Sequence, residues 1–171
     1  NLKNCINNDL ANNYGNLCQR VFSFVEKNCS NKIPTKKKIL DIDKKLSENL
    51  KNKIKYLNDL INKQDLNNYL KTVVDFSFEA NKYFNDSQPW AIKKTDTERM
   101  EGIIYTILEQ IKNISILLNP IIPISTNKIL DTLNIDIKDR NIENINKNNC
   151  FNHSKELKKS EILFNKIEND N

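Results

Sequence analysis

Apolar residues recur at steps of three and four along most of this chain, the spacing that buries one face of an α-helix. Strict alternation of apolar and polar residues, which is typical of strands, is almost absent. We therefore expect an all-α fold, a bundle of about five helices with antiparallel neighbours, formed by a single domain over residues 1–171. The predicted helices cover about residues 8–28, 41–62, 65–84, 96–119 and 124–133.

The fourth predicted helix carries the densest apolar run in the chain. Thr95 and Glu98 have the spacing of a capping box at its start, and Pro120 follows its end. A helix that is apolar on most sides is normally buried, so we expect this one at the centre of the bundle. The three helices before it are amphipathic, with predicted buried positions at Leu10, Tyr14, Leu17, Val21, Phe24, Val25, Leu46, Leu50, Ile54, Leu57, Leu60, Ile61, Leu66, Tyr69, Leu70, Val73, Val74, Phe76 and Ala80.

The tail, residues 134–171, shows no long periodic segment. Residues 134–149 are polar and weakly patterned, which predicts a loop. Further on, a terminal segment is expected to dock back onto the bundle through Ile162, Leu163, Phe164 and Ile167.

The charge balance is mildly basic, since 27 Lys and Arg residues against 22 Asp and Glu give a net charge of +5 and a pI near 8.9. Such a chain can bind a polyanion, although the charge alone does not require one. Gly15 and Gly102 are the only two glycines, so a glycine-rich phosphate-binding loop is excluded.

The four cysteines have no C-x-x-C spacing, and His153 is the only histidine. We therefore expect no metal site and no disulfide framework, which suits a cytoplasmic protein. No apolar run approaches the length of a membrane span, and nothing resembles a signal peptide. Residue 1 is not Met, so we expect a fragment of a longer chain.

No catalytic constellation can be assembled from these residues. His153 has no Ser or Cys at a spacing that suggests a triad, and the acidic residues are dispersed among lysines. We expect the chain by itself to catalyse nothing.

The first candidate binding feature is Trp90, the only tryptophan, which directly follows Pro89 in a break between two helices. A proline there should interrupt the helix and present the indole on an irregular, restrained segment. An exposed indole could stack on an unpaired base while Lys93 and Lys94 face phosphate. The alternative is that Trp90 caps the core at one end of the bundle.

The second candidate is a row of polar residues four apart, Asn12, Asn16 and Arg20, on the far flank of the first helix. Their amide and guanidinium groups could hydrogen-bond the base edges that an RNA loop leaves unpaired. The alternative is an ordinary solvated helix face.

Four segments, taken together, resemble the anticodon-binding domain of bacterial methionyl-tRNA synthetases. Residues 8–20, NDLANNYGNLCQR, resemble its opening pattern NADLxNxxGNLxxR, with Asn8 where Ala is usual. Residues 81–94, NKYFNDSQPWAIKK, resemble NxYxxxxxPWxLxK, and residues 116–123 match its ILLxPxxP helix end. Residues 163–167, LFNKI, resemble the closing LFPRI, with Asn165 and Lys166 as departures.

The resemblance implies a helix-bundle domain that reads the CAU anticodon of tRNA(Met). It implies that Trp90 stacks on an anticodon base, that Asn16 and Arg20 recognise base edges, and that Asn12 lies near the same surface. The longer enzyme would attach methionine to tRNA using ATP, in a Rossmann-type catalytic domain that is absent from this chain. Any zinc would also belong to that missing part, so no cofactor is expected here.

The expected partners are the tRNA anticodon loop and the catalytic domain of the same chain, in a monomeric protein with no membrane role. Two alternatives remain at the level of sequence. One is the related helical domain of a valyl-, isoleucyl-, leucyl- or cysteinyl-tRNA synthetase. The other is a helical protein-interaction module in which Trp90 anchors a partner.

Overall fold

The computed structural model describes residues 8–146 and 151–159, and these residues form an all-α bundle, as predicted. A π-helical segment, Leu10–Gly15, leads directly into α1. The α-helices are α1 (Asn16–Asn28), α2 (Asp41–Lys51), α3 (Ile54–Asn62), α4 (Leu66–Ser87), α5 (Pro89–Ile92), α6 (Thr97–Leu118) and α7 (Pro123–Thr132).

The predicted helix over residues 41–62 is divided into α2 and α3. The amide of Lys53 donates to the Leu50 carbonyl at 3.0 Å, a tighter i−3 bond that ends α2 in a turn. The apolar stripe continues across this turn, because Leu50, Ile54, Leu57 and Leu60 are all buried. Among the predicted buried positions, Ile61 and Leu66 are exposed, and Leu46 is only partly buried.

The central helix is α6, as its apolar composition predicts, and it packs against α1, α2, α4, α5 and α7. Two tyrosines attach neighbouring segments to its backbone. The Tyr14 hydroxyl donates to the Ile111 carbonyl at 2.7 Å, and the Tyr69 hydroxyl donates to the Leu117 carbonyl at 2.7 Å. These bonds satisfy buried hydroxyls and fix the first helical segment and α4 against the core.

The predicted capping box at the start of this helix is wrong by one residue. Asp96, not Thr95, is the N-cap, and its carboxylate accepts a hydrogen bond from the Arg99 amide at 3.2 Å. Asp is as good an N-cap as Thr or better, so the helix begins one residue later than a Thr95 cap would place it.

A buried carboxylate joins α2, α4 and α6 on one side of the bundle. Asp43 is 1% exposed and accepts from Arg99 Nη1 at 2.6 Å and Arg99 Nη2 at 3.0 Å. It also accepts from the Tyr83 hydroxyl and from the Leu40 amide. Burial by itself raises the pKa of Asp43, but the hydrogen bonds from Arg99, Tyr83 and Leu40 outweigh it and leave that pKa below its ordinary value.

The described part of the tail packs back onto the bundle. The Leu157 amide donates to the Asn31 carbonyl at 2.8 Å, and the Leu157 side chain is buried. Within 134–146 the chain forms two 3₁₀ turns, Ile137–Asp139 and Ile142–Asn146, where a loop was predicted. Residues 147–149 of that loop, and the docking residues Ile162, Leu163, Phe164 and Ile167, lie outside the described residues.

Candidate nucleic-acid interface

An open cleft of about 510 Å³ lies between α1 and the junction of α4 with α5. It is lined by Gln19, Arg20, Ser23, Phe24, Lys27, Asn28, Phe84 and Trp90. None of these eight described residues is acidic, while Arg20 and Lys27 are cationic. The cleft therefore combines aromatic surface with positive charge, the two properties that bind single-stranded nucleic acid.

Trp90 lies on α5, the single helical turn that follows α4, rather than on an irregular segment. Gln88 ends that helix in the left-handed conformation, with φ of 47°, and Pro89 then starts the single turn α5. Proline at the first position of a helix costs nothing, since its missing N–H would have no intrahelical partner. The prediction of a break was therefore right, but the indole stands on one helical turn.

The Trp90 indole is 42% exposed, so it does not seal the core. Its other side packs edge-on against Phe84, with ring centroids 5.5 Å apart and an interplanar angle of 73°. Edge-to-face contact of this kind is a favoured geometry for aromatic pairs. Phe84 thus holds the indole against the bundle while much of Trp90 remains exposed.

Arg20 reaches the same Phe84 ring from the opposite helix. The carbon of its guanidinium lies 5.2 Å from the Phe84 centroid, within cation–π range. Arg20 Nη2 also donates to Asn85 Oδ1 at 2.8 Å. This bond uses one of five guanidinium donors, so the planar group has further donors in an exposed position.

Asn16 and Asn12 are exposed but do not line the cleft. The Asn16 amide nitrogen donates to the Asn12 carbonyl at 2.9 Å, which leaves the Asn16 side-chain oxygen as an acceptor. Asn12 lies in the π-helical segment, where hydrogen bonds span five residues and a step of four is no longer one turn. The predicted row is therefore displaced at Asn12, while Asn16 and Arg20 keep regular α-helical spacing.

Lys93 and Lys94 are exposed just beyond α5, and neither lines the cleft. The lysine that does line it is Lys27, which sequence reasoning did not select. Its spacing offers the signal, since Lys27 stands seven residues after Arg20 and so lies on the same helix face. Phe24, predicted as buried, is only partly buried and also lines the cleft.

Phe84 and Asn85 were also missed as contributors to this site. They fall at the end of a helix whose apolar pattern predicts only packing for Phe84. The sequence holds no signal that joins residue 84 to residue 20, because their proximity depends on how α1 crosses the end of α4.

Across residues 8–146 and 151–159, no three His, Cys, Asp or Glu side chains are grouped so that they could hold a metal ion. In that part of the chain no helix combines the length and apolarity needed to cross a bilayer.

Residues 33–171 match the sequence model of a family described as the anticodon binding domain of methionyl tRNA ligase. The chain belongs to this family. The matched range includes Trp90 but begins after Asn12, Asn16 and Arg20.

Relatives extend the likeness over the N-terminal helix. Methionine–tRNA ligase of Rickettsia felis is 35% identical over 174 aligned residues, covering 99% of this chain and 34% of the relative. The enzyme of Rickettsia prowazekii is 32% identical over 171 residues, with 98% and 34% coverage. The chain thus spans about a third of the length of these relatives.

Solved structures show the same domain in the same family. The free form of methionyl-tRNA synthetase from Mycobacterium tuberculosis superposes with a TM-score of 0.86 at 28% identity, covering 94% of this chain and 33% of that one. Its complex with methionyl-adenylate gives a TM-score of 0.79 at 30% identity, with 83% and 29% coverage. These similarities favour neither the domain of another synthetase nor a protein-interaction module.

Proposed function

We propose that this chain is the part of a methionine–tRNA ligase that reads the CAU anticodon of tRNA(Met). Trp90 stacks on one unpaired anticodon base, and Arg20 and Asn16 hydrogen-bond the edges of bases beside it. Asn12, in the π-helical segment before α1, adds a contact on the same side, and Lys93 and Lys94 bind the phosphates. The observation that carries the proposal is the placement of an exposed indole and an exposed guanidinium on one acid-free cleft, both packed on Phe84.

The chemistry of the cleft suits an unpaired loop better than a duplex. Sequence-specific RNA recognition targets bases that are splayed out, stacked on aromatic rings and bonded along their edges. The Arg20 guanidinium supplies donors, and the Asn16 side-chain oxygen supplies an acceptor because its amide nitrogen is already bonded to Asn12. A donor next to an acceptor can discriminate among bases, which a cluster of cations alone cannot do.

The longer protein would attach methionine to tRNA at the expense of ATP, in a catalytic domain outside this chain. Methionine, ATP and any zinc would be bound there, so this chain takes no cofactor and carries no catalytic residue. We place the protein in the cytoplasm, as a monomer in which this domain and the catalytic domain hold one tRNA.

The experiment is a titration of the 171-residue chain with RNA stem-loops that differ only in the anticodon. We expect the CAU loop to bind tighter than loops carrying valine, isoleucine, leucine or cysteine anticodons. Trp90→Ala should weaken CAU binding by about 1–3 kcal/mol, the contribution of one base–aromatic stack. The far-ultraviolet circular dichroism should be unchanged, because Trp90 is not part of the core.

Tyr56 offers a matched control, since this aromatic on α3 is 49% exposed and does not line the cleft. Tyr56→Ala should leave RNA binding unchanged. Equal binding of all loops, or equal affinity of Trp90→Ala and the unsubstituted chain, would contradict the proposal. Added salt gives a further check, because binding through phosphate contacts should weaken as the salt concentration rises, and salt-insensitive binding would contradict the proposal.

A further inference from the structure

We infer that Phe84 is a positioning residue that couples Trp90 to Arg20, so that the two recognition side chains act as one unit. The inference rests on the proposed function and adds to it a residue that contacts no RNA. Phe84 is 2% exposed, which leaves almost none of its ring for a ligand. Its effect on binding must therefore pass through the side chains that pack on it.

The geometry gives Phe84 two partners of different kinds. The Trp90 ring meets it edge-on at 5.5 Å, and the Arg20 guanidinium lies 5.2 Å from its centroid. Arg20 comes from α1 and Trp90 from α5, while Phe84 stands near the end of α4. A single buried ring thus sets the spacing between two groups that come from different helices.

The arrangement is constrained on both sides. Asn85, the next residue of α4, accepts from Arg20 at 2.8 Å and so fixes the guanidinium along the ring. Gln88 and Pro89 hold α5 in a sharp turn only a few residues further along the chain. A shift of Phe84 would therefore displace Arg20 and Trp90 together, and a pre-organised site loses selectivity when its support loosens.

The chain contains a matched control for the loss of this ring. Phe76 is a fully buried residue of the same helix, and it also carries a cation over its ring, with Lys53 Nζ 5.5 Å from the centroid. Phe76 does not line the cleft. Phe84→Leu and Phe76→Leu each remove one buried ring with a cation partner, but only the first removes a support of Trp90 and Arg20.

The first test compares the two leucine variants in the 171-residue chain. Phe84→Leu is expected to lower the preference for the CAU stem-loop over a loop with another anticodon by about tenfold, the equivalent of 1.4 kcal/mol. Phe76→Leu should lower stability but keep that preference. The time-resolved fluorescence anisotropy of Trp90 adds a readout without RNA. The indole should move more freely in Phe84→Leu than in the unsubstituted chain, and its motion should be unchanged in Phe76→Leu.

The second test leaves the core intact and so can overturn the inference even if Phe84→Leu fails to fold. Trp90→Ala, Arg20→Gln and the double variant form a cycle measured with the CAU stem-loop. If Phe84 couples the two groups, the loss in the double variant should be smaller than the product of the single losses by about fivefold or more. Single losses that multiply within about twofold would show independent groups and overturn the inference.

The two proposals fail in different ways. If neither Trp90→Ala nor Arg20→Gln changes the binding of any stem-loop, the proposed function is wrong. If both weaken binding but Phe84→Leu behaves as Phe76→Leu does, only the coupling role of Phe84 is overturned.

Discussion

Arg20 and Arg99 are both interhelical arginines, yet the bundle uses them in opposite ways. Arg99 forms a bidentate pair with Asp43 and also donates to the Lys38 carbonyl at 3.0 Å, so most of its donors are occupied. Arg20 donates to a neutral amide and rests on an aromatic ring, and within the described residues no carboxylate lies within ion-pair distance of it.

The third arginine, Arg140, follows the pattern of Arg99. It pairs with Asp131 at 2.6 Å and donates to the Ile135 carbonyl from two nitrogens. Two of the three arginines thus use their side chains in ion pairs and hydrogen bonds that stabilise the fold. The difference indicates that the charge of Arg20 is held in place without being neutralised, which is what an anionic ligand requires.

The largest expected effect is on stability and concerns Arg99. Arg99→Met would leave the buried Asp43 carboxylate without its cation, and breaking such a pair typically costs about 3–5 kcal/mol. Urea unfolding followed by circular dichroism measures the loss. The double variant Arg99→Met with Asp43→Asn should recover part of it. A loss below about 1 kcal/mol would mean that the pair behaves as an exposed surface pair, and Arg99 would then not differ from Arg20 in its contribution to stability.

Arg20→Gln should show the reverse behaviour. Its unfolding free energy should change by no more than about 0.5 kcal/mol, as is usual at exposed positions. Discrimination between CAU and other anticodons should fall by about 1–3 kcal/mol, the contribution of one good bidentate base contact. Stem-loop titrations on the folded variant measure this. Equal weakening for every loop would show that Arg20 contributes charge and no base contact.

Acid titration sharpens the comparison further. The pKa of Asp43 is lowered in the folded chain, so below an unfolded value of about 3.9 the unfolded state binds more protons. The stability from Asp43 is therefore present above that pH and is lost as the pH falls through the lower folded pKa. We expect the unfolding free energy to drop on acidification below about pH 4, and Asp43→Asn to flatten the drop. If the unfolding free energy of Asp43→Asn fell with pH as steeply as that of the unsubstituted chain, the lowered pKa of Asp43 would be contradicted.

The smallest expected effect concerns the lysines beyond α5. If Lys93 and Lys94 contact phosphates, Lys93→Gln and Lys94→Gln should each reduce the slope of log affinity against log salt by about 0.7. Lys63, exposed at the end of α3, is the control, and Lys63→Gln should leave the slope unchanged. Unchanged slopes in all three variants would remove Lys93 and Lys94 from the interface.

The fold could be predicted from the sequence because its signals are local. Periodic apolar positions located the central α6, and Pro89 located the break before it. The errors arose where several local outcomes have similar energies. Asp96 competes with Thr95 as a cap, and the turn at Lys53 keeps the same apolar stripe as an unbroken helix would.

The site could be predicted only in part. Trp90 and Arg20 were selected by residue type and by resemblance, and the structure places both on one cleft. Phe84 and Asn85 were missed because their closeness to Arg20 and Trp90 depends on how the helices cross. Lys27 was missed because, although it shares a helix face with Arg20, it belongs to no recognisable motif. The displacement of Asn12 was also beyond sequence reasoning, because a π-helical register has no simple residue signature.

The central claim is that the Trp90 indole and the Arg20 guanidinium contact adjacent unpaired bases. Trp90 is the only tryptophan, so the fluorescence of the chain reports directly on this indole. The decisive measurement is the quenching of that fluorescence during titration with the CAU stem-loop, in the unsubstituted chain and in Arg20→Gln. We predict strong quenching at saturation in both proteins, with a smaller preference for CAU over other anticodons in Arg20→Gln than in the unsubstituted chain. Binding of the CAU loop with no change in Trp90 emission, or an equal preference in the two proteins, would contradict the account.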